Sequence, residues 1–264
     1  MLKQGLAPKT VNDIFTVIRG VWANAFGDGI LKANPLDRTS NVGTDADLEH
    51  ADPFSREEIE KIGKADPARM PDARMIMFNC WTGLSLSEVI ALAVEDVDLE
   101  AGLLQVRRAL VVGEFKVPKE RSRVRAVELI DPALELMREI VAAAREAPAE
   151  EITVIQRDNI TSKKMKVRFL FRSSTSGLLW SGKTLSNWFT AHLKRAEVRH
   201  RGANQCRHTF ASQMLSSYVP VEWVARQLGH ADTTMVRKHY GRWISKDTKS
   251  LAGIVSKMLG FRPE

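Results

Sequence analysis

Apolar residues recur at helical spacing through most of the chain. Near the amino terminus, residues 8–26 place six of them on one face, which predicts an amphipathic helix: Val11, Ile14, Phe15, Ile18, Trp22 and Ala25. Pro8 suits the first turn of this helix, and Gly27-Asp28-Gly29 ends it. A single helix cannot bury its own apolar face. We therefore interpret residues 1–50 as part of a larger helical domain, with a polar linker over residues 35–53.

A second unit, residues 51–264, is predicted to open with a helix. Ser55 and Glu58 have capping-box spacing, and Phe54 and Ile59 can form a hydrophobic staple. Helical patterns continue to about residue 100, ending with residues 86–94, and return at 132–145, 183–196, 207–217, 220–228 and 232–240. Residues 103–110 and 124–129 are strand-like, and 146–168 form a polar surface segment. The predicted fold is mainly α with a small antiparallel β-sheet, an α+β fold.

Charge and composition narrow the class of protein. The net charge of +7 over 264 residues favours a polyanionic partner, with a basic soluble enzyme as the alternative. The sequence contains no run of about 18 apolar residues and so predicts no membrane span. Its first residues are not typical of a signal peptide. The two cysteines, Cys80 and Cys206, fit a reducing cytosol better than a disulfide scaffold or a structural zinc site.

The last quarter of the chain sets out three kinds of chemical group in order. Arg207 can bind non-bridging phosphate oxygens through parallel N–H donors, which lysine cannot imitate. His230 can move a proton or hold an oxyanion. Tyr240, one of only two tyrosines, can attack phosphorus and form a covalent bond. Phosphoryl transfer with this much preorganised electrostatic help requires no metal or cofactor.

Gly229 is predicted to end one helix and Asp232 to cap the next, so a short helix–turn–helix would carry both His230 and Tyr240. Each residue alone has a simpler role. Tyr240 can pack its ring, Arg207 can pair with a carboxylate, and His230 can be a satisfied loop histidine. Their succession in R-H-T-F-A, L-G-H and Y-G-R-W is the more specific signal.

These motifs resemble those of the tyrosine recombinases of the phage integrase family. Residues 82–88, T-G-L-S-L-S-E, resemble the family's first arginine motif, T-G-L-R-x-S-E. Val117-Pro118-Lys119 resembles its β-hairpin lysine segment, which implies that Lys119 protonates the 5′-hydroxyl leaving group; Lys116 is the rival. Residues 8–35 resemble the end of the helical core-binding domain. The resemblance implies a partial core-binding (SAM-like) domain and linker at 1–50 and a catalytic domain at 51–264.

The resemblance also implies what the protein does. One DNA strand would be cleaved with a 3′-phosphotyrosine at Tyr240, and a partner strand's 5′-hydroxyl would then attack. Double-stranded DNA with attachment sites, a homo-tetramer on DNA, a monomer without it and accessory DNA-bending proteins are the expected partners, with no membrane. The expected location is the cytoplasm of a bacterial or phage-infected cell, at the nucleoid, in the integration of mobile DNA.

The chain departs from the family pattern at two positions. Ser85 stands where the family has its first catalytic arginine, and Asn204 where the second motif, H-x-x-R, has histidine. A short neutral hydroxyl cannot replace a bidentate charged donor, and losing one transition-state donor costs about 10²–10³ in rate. Glu88, which supports that arginine in the family, is retained. Four arginines are possible substitutes that the sequence does not place: Arg74, Arg121, Arg123 and Arg125.

Basic residues cluster around the carboxy-terminal motifs. Those expected to contact DNA phosphates are Lys194, Arg199, Arg201, Arg237, Lys238 and Arg242. The run from Lys163 to Arg168 is either a solvated loop or a further DNA contact. Two alternative functions remain open, namely a DNA-binding homologue silenced by Ser85 and a type IB topoisomerase-like enzyme.

Overall fold

The computed structural model describes residues 5–43, 51–244, 253, 255 and 256. It divides into two compact units, Met1–His50 and Ala51–Glu264. Nine helices run through these described residues: α1 Pro8–Gly27, α2 Arg56–Lys64, α3 Met70–Thr82, α4 Leu86–Ile90, α5 Asp131–Arg145, α6 Gly182–Arg195, α7 Gln205–Ser216, α8 Val221–Leu228 and α9 Thr234–Tyr240.

The first unit consists of α1 and the segment that folds back along it. The predicted apolar face is the less exposed one, with Val11 buried, while Val17 and Val21 are exposed. The Asn12 side chain donates to the Val42 carbonyl oxygen at 3.0 Å and accepts the Val42 N–H at 2.9 Å. These two hydrogen bonds fasten residues up to 43 to the helix. Part of the linker prediction, at 44–50, lies outside the described residues.

The second unit is built around α3, which packs against α2, α5 and α7. The capping box predicted at Ser55 and Glu58 is confirmed, with both reciprocal hydrogen bonds present. The main apolar core includes Phe78 and Met75 of α3. A separate carboxy-terminal core contains Phe210, Leu228 and Tyr240, so the last three helices share one apolar interior.

Seven strands form two small sheets in the described residues, where one was predicted. Their bounds are β1 Val97–Asp98, β2 Leu103–Val106, β3 Ala109–Val111, β4 Glu114–Lys116, β5 Arg125–Glu128, β6 Glu150–Ile155 and β7 Ser162–Val167. The first sheet, in the order β1-β2-β5, is antiparallel. The second runs β3-β4-β6-β7 and pairs β4 with β6 in parallel. The α+β class is confirmed, but the second sheet is not purely antiparallel.

One strand prediction and one surface-segment prediction were wrong in detail. Residues 103–110 form two strands in different sheets, because the chain breaks at the fully buried Arg108, whose guanidinium donates to both oxygens of Asp96 at 2.6 and 3.2 Å. Residues 146–168 contain the hairpin β6–β7 instead of a surface excursion. Ile152 and Val154 alternate with exposed residues and enter a third small core, while the lysines of β7 stay mostly exposed.

The helix predicted at residues 86–94 ends at Ile90. The following backbone pairs across the fold instead, because the Leu170 N–H donates to Leu92 O at 3.0 Å and the Val94 N–H donates to Arg168 O at 2.8 Å. Tertiary hydrogen bonding therefore ended a helix that local propensity would have continued. The shortened helix leaves Ser85 and Glu88 in the first turn of α4, next to the carboxy-terminal helices.

Candidate active site

Arg207 lies in the first turn of α7 and connects three separate segments. Its guanidinium donates to Gly83 O at 2.7 Å, to Leu228 O at 2.8 Å and to His230 Nε2 at 3.0 Å. Burial is the main reason that its pKa falls to about 10, so the group is still positively charged at neutral pH. The arginine joins the loop before α4, the end of α8 and the loop before α9 at one point.

Gly83 makes this junction possible. Its φ of +65° is left-handed, and an added Cβ would lie 2.5 Å from Phe210 Cδ1 and 2.8 Å from Leu228 Cδ2. Only glycine allows the T-G-L turn to approach α7 and α8 this closely. The glycine of the first motif is therefore required by the packing that brings its carbonyl to Arg207.

His230 is a neutral imidazole oriented by Arg207. Burial is the largest cause that lowers its pKa to about 4, followed by the charges of Arg207, Arg123 and Arg125. Because an arginine can only donate, His230 Nε2 must accept, and the single proton of the neutral ring sits on Nδ1. That Nδ1 is buried and has no hydrogen-bond partner among the described residues. It is therefore an N–H donor that no described residue satisfies.

Tyr240 ends α9 and lies close enough to Arg207 for their charges to interact. The predicted helix–turn–helix is confirmed, with Gly229 ending α8 at a φ of +74°. The N-cap of α9 is Thr233 and not Asp232 as predicted; the Asp232 carboxylate accepts the Thr234 N–H at 2.7 Å from the turn before the helix. The Tyr240 ring is 3% exposed and lies 5.5 Å from the His208 ring, centroid to centroid. Its charge, when ionised, favours the protonated form of Arg207. The three groups that the sequence set out in order are thus brought together.

Ser85 does not act in place of an arginine side chain. Its hydroxyl accepts the Glu88 N–H at 3.4 Å and lies 3.2 Å from Ser87 Oγ, so it caps α4. The Glu88 carboxylate in turn accepts the Ser85 N–H at 2.9 Å. The serine is therefore used for local helix geometry at the start of α4.

Arg125 of β5 is the cation paired with the Glu88 carboxylate. Its Nη1 and Nη2 donate to the two oxygens of Glu88 at 3.2 and 3.3 Å, and its Nε donates to Gln227 O at 2.7 Å. Burial by itself would raise the pKa of Glu88, yet the charge and hydrogen bonds of Arg125 and the Ser85 N–H together hold it below its ordinary value. A buried ion pair therefore stands beside the Ser85 backbone.

The comparisons with known proteins agree on one family. The phage integrase family profile matches residues 53–244. Protein IntQ of Escherichia coli K12, whose name describes it as defective, is 30% identical over 98% of this chain and 66% of its own length. Prophage integrase IntR of the same strain is 29% identical over 92% of this chain and 59% of its own length. The chain thus spans about two thirds or less of these relatives.

The chain belongs to the phage integrase family. Solved structures share its fold. The Tn1549 transposon integrase in complex with transposon right end DNA has a TM-score of 0.73 at 20% identity, covering 98% of this chain and 82% of that chain. A lambda integrase dimer bound to a COC′ core site has a TM-score of 0.62 at 14% identity, covering 94% and 77% respectively.

The side chains at the two remaining motif positions, Lys119 and Asn204, do not join the hydrogen bonds around Arg207. Lys119 is exposed in the loop after β4 and makes no hydrogen bond or ion pair with any described residue. Its rival Lys116 lies in β4, where it is paired with Glu114 at 2.7 Å. Asn204 is exposed before α7, and its side chain does not cap that helix. Among the described residues, none of these three side chains makes a hydrogen bond or ion pair with Arg207 or His230, although the Asn204 carbonyl oxygen accepts the Arg207 N–H at 3.1 Å.

The six basic residues expected at DNA fall into two groups. Arg201 is used inside the fold, because its 9% exposed side chain donates to both Glu58 oxygens at 2.7 and 2.8 Å. Arg242 donates to the Ala51 carbonyl and stacks on Trp243 with its Cζ 3.9 Å from the ring centroid. The members with exposed side chains are Lys194, Arg199, Arg237 and Lys238.

Sequence reasoning left the role of Arg125 undecided. The spacing of R-S-R-V-R gives no signal that separates residue 125 from its neighbours. A weak signal was that the chain keeps Glu88 although Ser85 replaces the arginine that this glutamate supports in the family. A carboxylate that folds into the interior needs a cation, but the sequence does not say which arginine supplies it.

In the described ranges, no helix is both long and apolar enough to cross a membrane.

Proposed function

We propose that this chain is a DNA strand transferase that cuts and rejoins DNA through Tyr240. The Tyr240 oxygen, after losing its proton to solvent, would attack the scissile phosphorus, forming the P–O bond of a 3′-phosphotyrosine and breaking the bond to the 5′-oxygen. A 5′-hydroxyl of a partner strand would reverse the step by attacking the same phosphorus. The junction of Arg207, His230 and Tyr240 is the observation that supports this proposal most strongly.

Each group has a definite role in this proposal. Arg207 donates to a non-bridging oxygen while its remaining N–H groups keep it anchored to Gly83 and Leu228. The neutral ring of His230 donates a hydrogen bond from its Nδ1–H to the same phosphate. Lys119, by the family resemblance, protonates the departing 5′-oxygen. Duplex DNA is the substrate class, and the exposed basic residues around α6 and α9 would bind its phosphates.

A covalent-capture assay tests the proposal. The chain is incubated with a library of nicked duplexes whose sequence around the nick is randomised, so that cleavage releases a short strand and traps the adduct. We expect SDS-resistant DNA adducts that disappear in Tyr240→Phe and persist in Tyr218→Phe, the matched change at the other tyrosine. Adducts that survive Tyr240→Phe would contradict the assignment, as would a library that yields none.

His230 gives a second prediction, because its lowered pKa keeps it neutral. We expect His230→Gln, which retains a neutral N–H donor, to lose less cleavage activity than His230→Ala, which should lose about 10²–10³. For the same reason, the single-turnover rate should show no titration at the ordinary histidine pKa of about 6.5. The pH profiles of the parent and of His230→Gln measure both points. A rate that falls in the parent alone as the pH rises through about 6.5 would argue for an active imidazolium instead. A rate that falls in the parent alone below that pH would show that the histidine pKa is not lowered.

A silenced DNA-binding homologue is the second candidate function, favoured by the capping role of Ser85. DNA retention in a gel shift without any adduct would support it. A topoisomerase-like activity would show itself as relaxation of a supercoiled plasmid that requires Tyr240.

A further inference from the structure

The turn before β5 is fastened to the loop that carries His230. Residues Arg121–Arg123 form one 3-10 turn. The Ser122 hydroxyl donates to Gly229 O at 3.1 Å, and an added Cβ at Gly229 would lie 2.8 Å from Arg125 Nη1. Ser122 of the turn and Arg125 of β5 therefore both contact Gly229, which precedes His230, and Arg123 lies between them in the chain.

Arg125 cannot itself bind a phosphate from this position. Four of its five N–H groups are used, toward Gln227 O, the two Glu88 oxygens and Arg123 O. Its side chain is only 7% exposed. Turning this guanidinium toward DNA would strip a buried carboxylate of its cation, which is strongly unfavourable.

Arg123 has the opposite properties. Its side chain is 38% exposed, and its Nη1 lies 3.8 Å from Glu88 Oε1 in a loose ion pair. Within the described residues, its guanidinium makes no hydrogen bond. Its backbone is nevertheless fixed, because the Arg123 carbonyl accepts from Arg125 at 2.9 Å. A planar donor fork that makes only this loose ion pair among the described residues is thus held on a short turn at the edge of the site.

The electrostatic coupling supports this placement. Burial and then Arg207 are the larger causes of the lowered pKa of His230, and Arg123 comes next. Arg123 also contributes, after burial and Arg125, to lowering the pKa of Arg207. Its charge therefore adds to the positive potential at the position that both groups share. Such an accumulation is costly in the free protein and is relieved when an anion binds.

We propose that Arg123 supplies the second phosphate-binding guanidinium of this site and that Arg125 positions it. A single arginine at position 85 would pair with Glu88 and also bind the phosphate. Here Arg125 pairs with Glu88 and Arg123 binds the phosphate, so the site keeps a second cation although position 85 is a serine. This inference rests on the proposed function for the identity of the anion, the scissile phosphate of duplex DNA.

Oxyanion binding tests the inference without requiring cleavage. Orthovanadate, a phosphate analogue, is titrated into the parent chain, Arg123→Ala, Arg123→Lys and Arg121→Ala by calorimetry. Arg121 is the matched control, since it is an exposed arginine of the same turn. We expect Arg123→Ala to weaken vanadate binding about tenfold or more, Arg123→Lys to weaken it less, and Arg121→Ala to leave it within about twofold. Equal losses in Arg123→Ala and Arg121→Ala would overturn the inference, as would a parent that binds no vanadate.

Cleavage of a modified substrate supplies the readout that a purely structural role would not change. The captured duplex is remade with a methylphosphonate at the scissile position, which removes the charge of one non-bridging oxygen. We expect Arg123→Ala to cleave the normal duplex about 10²–10³ more slowly than the parent, and this deficit to shrink on the methylphosphonate. An unchanged deficit would count against a phosphate contact. Vanadate binding that depends on Arg123 in a chain forming no adducts would retain the inference and reject the proposed function.

Discussion

Arg207→Lys is expected to slow formation of the Tyr240 adduct by about 10²–10³, although the positive charge is kept. The guanidinium reaches Gly83 O, Leu228 O and His230 Nε2 at once. An ammonium group is a point charge that cannot reproduce this planar arrangement and still present N–H groups to phosphate. His230 would also lose the donor that sets its tautomer, so its Nδ1 would no longer be a fixed donor.

Single-turnover cleavage of the captured duplex measures this effect. Arg226→Lys is the matched control, because Arg226 is an exposed arginine of the neighbouring α8. The control should stay within about threefold of the parent. An Arg207→Lys rate similar to that of the control would show that the three contacts are structural and that phosphate binding depends on other groups.

Arg125→Ala is expected to destabilise the second unit by about 3–5 kcal/mol at neutral pH. Glu88 is 1% exposed and would remain as a buried carboxylate whose main cation has gone. Gln227 O would lose its donor, and the space beside Gly229 would be empty. Removing one partner of a buried pair is costly because the desolvation of the other is no longer compensated.

This destabilisation should depend on pH in a defined direction. In the parent, the pKa of Glu88 lies below its ordinary value, so the stability it contributes is present above about pH 4.3 and is lost as the pH falls through the lowered pKa. In Arg125→Ala, burial acts without compensation and should raise that pKa. Protonation then removes the buried charge, so the difference between variant and parent should be largest near neutral pH and shrink toward about pH 4.

Urea unfolding at a series of pH values measures both the size and the trend. Arg121→Ala is the control for loss of one positive charge in the same segment and should change the free energy of unfolding by about 0.5 kcal/mol or less. Adding Glu88→Gln to Arg125→Ala should restore part of the lost stability. A penalty that is small or independent of pH would mean that the Arg125–Glu88 pair does not hold this region together.

Local sequence signals predicted much of what surrounds the site. Ser55 and Glu58 specified a helix start because a capping box is completed within four residues. Gly229 specified the turn between α8 and α9, because few other residues adopt its left-handed conformation. The errors occurred where partners are distant in sequence. Arg108 broke a predicted strand by pairing with Asp96, and the backbone at Leu92 left its helix to pair with Leu170.

The sequence by itself determined the family and the order of Arg207, His230 and Tyr240, because those motifs are local and specific. It could not decide among the four arginines that are candidates to compensate for Ser85. Arg74 pairs with Glu139 at 2.6 Å, Arg121 is exposed, and Arg125 donates to Glu88, 37 residues away. Only the packing of β5 against α8 and the start of α4 brings Arg125 to Glu88 and leaves the Arg123 guanidinium without a hydrogen bond among the described residues, since burial determines which carboxylate most needs a cation.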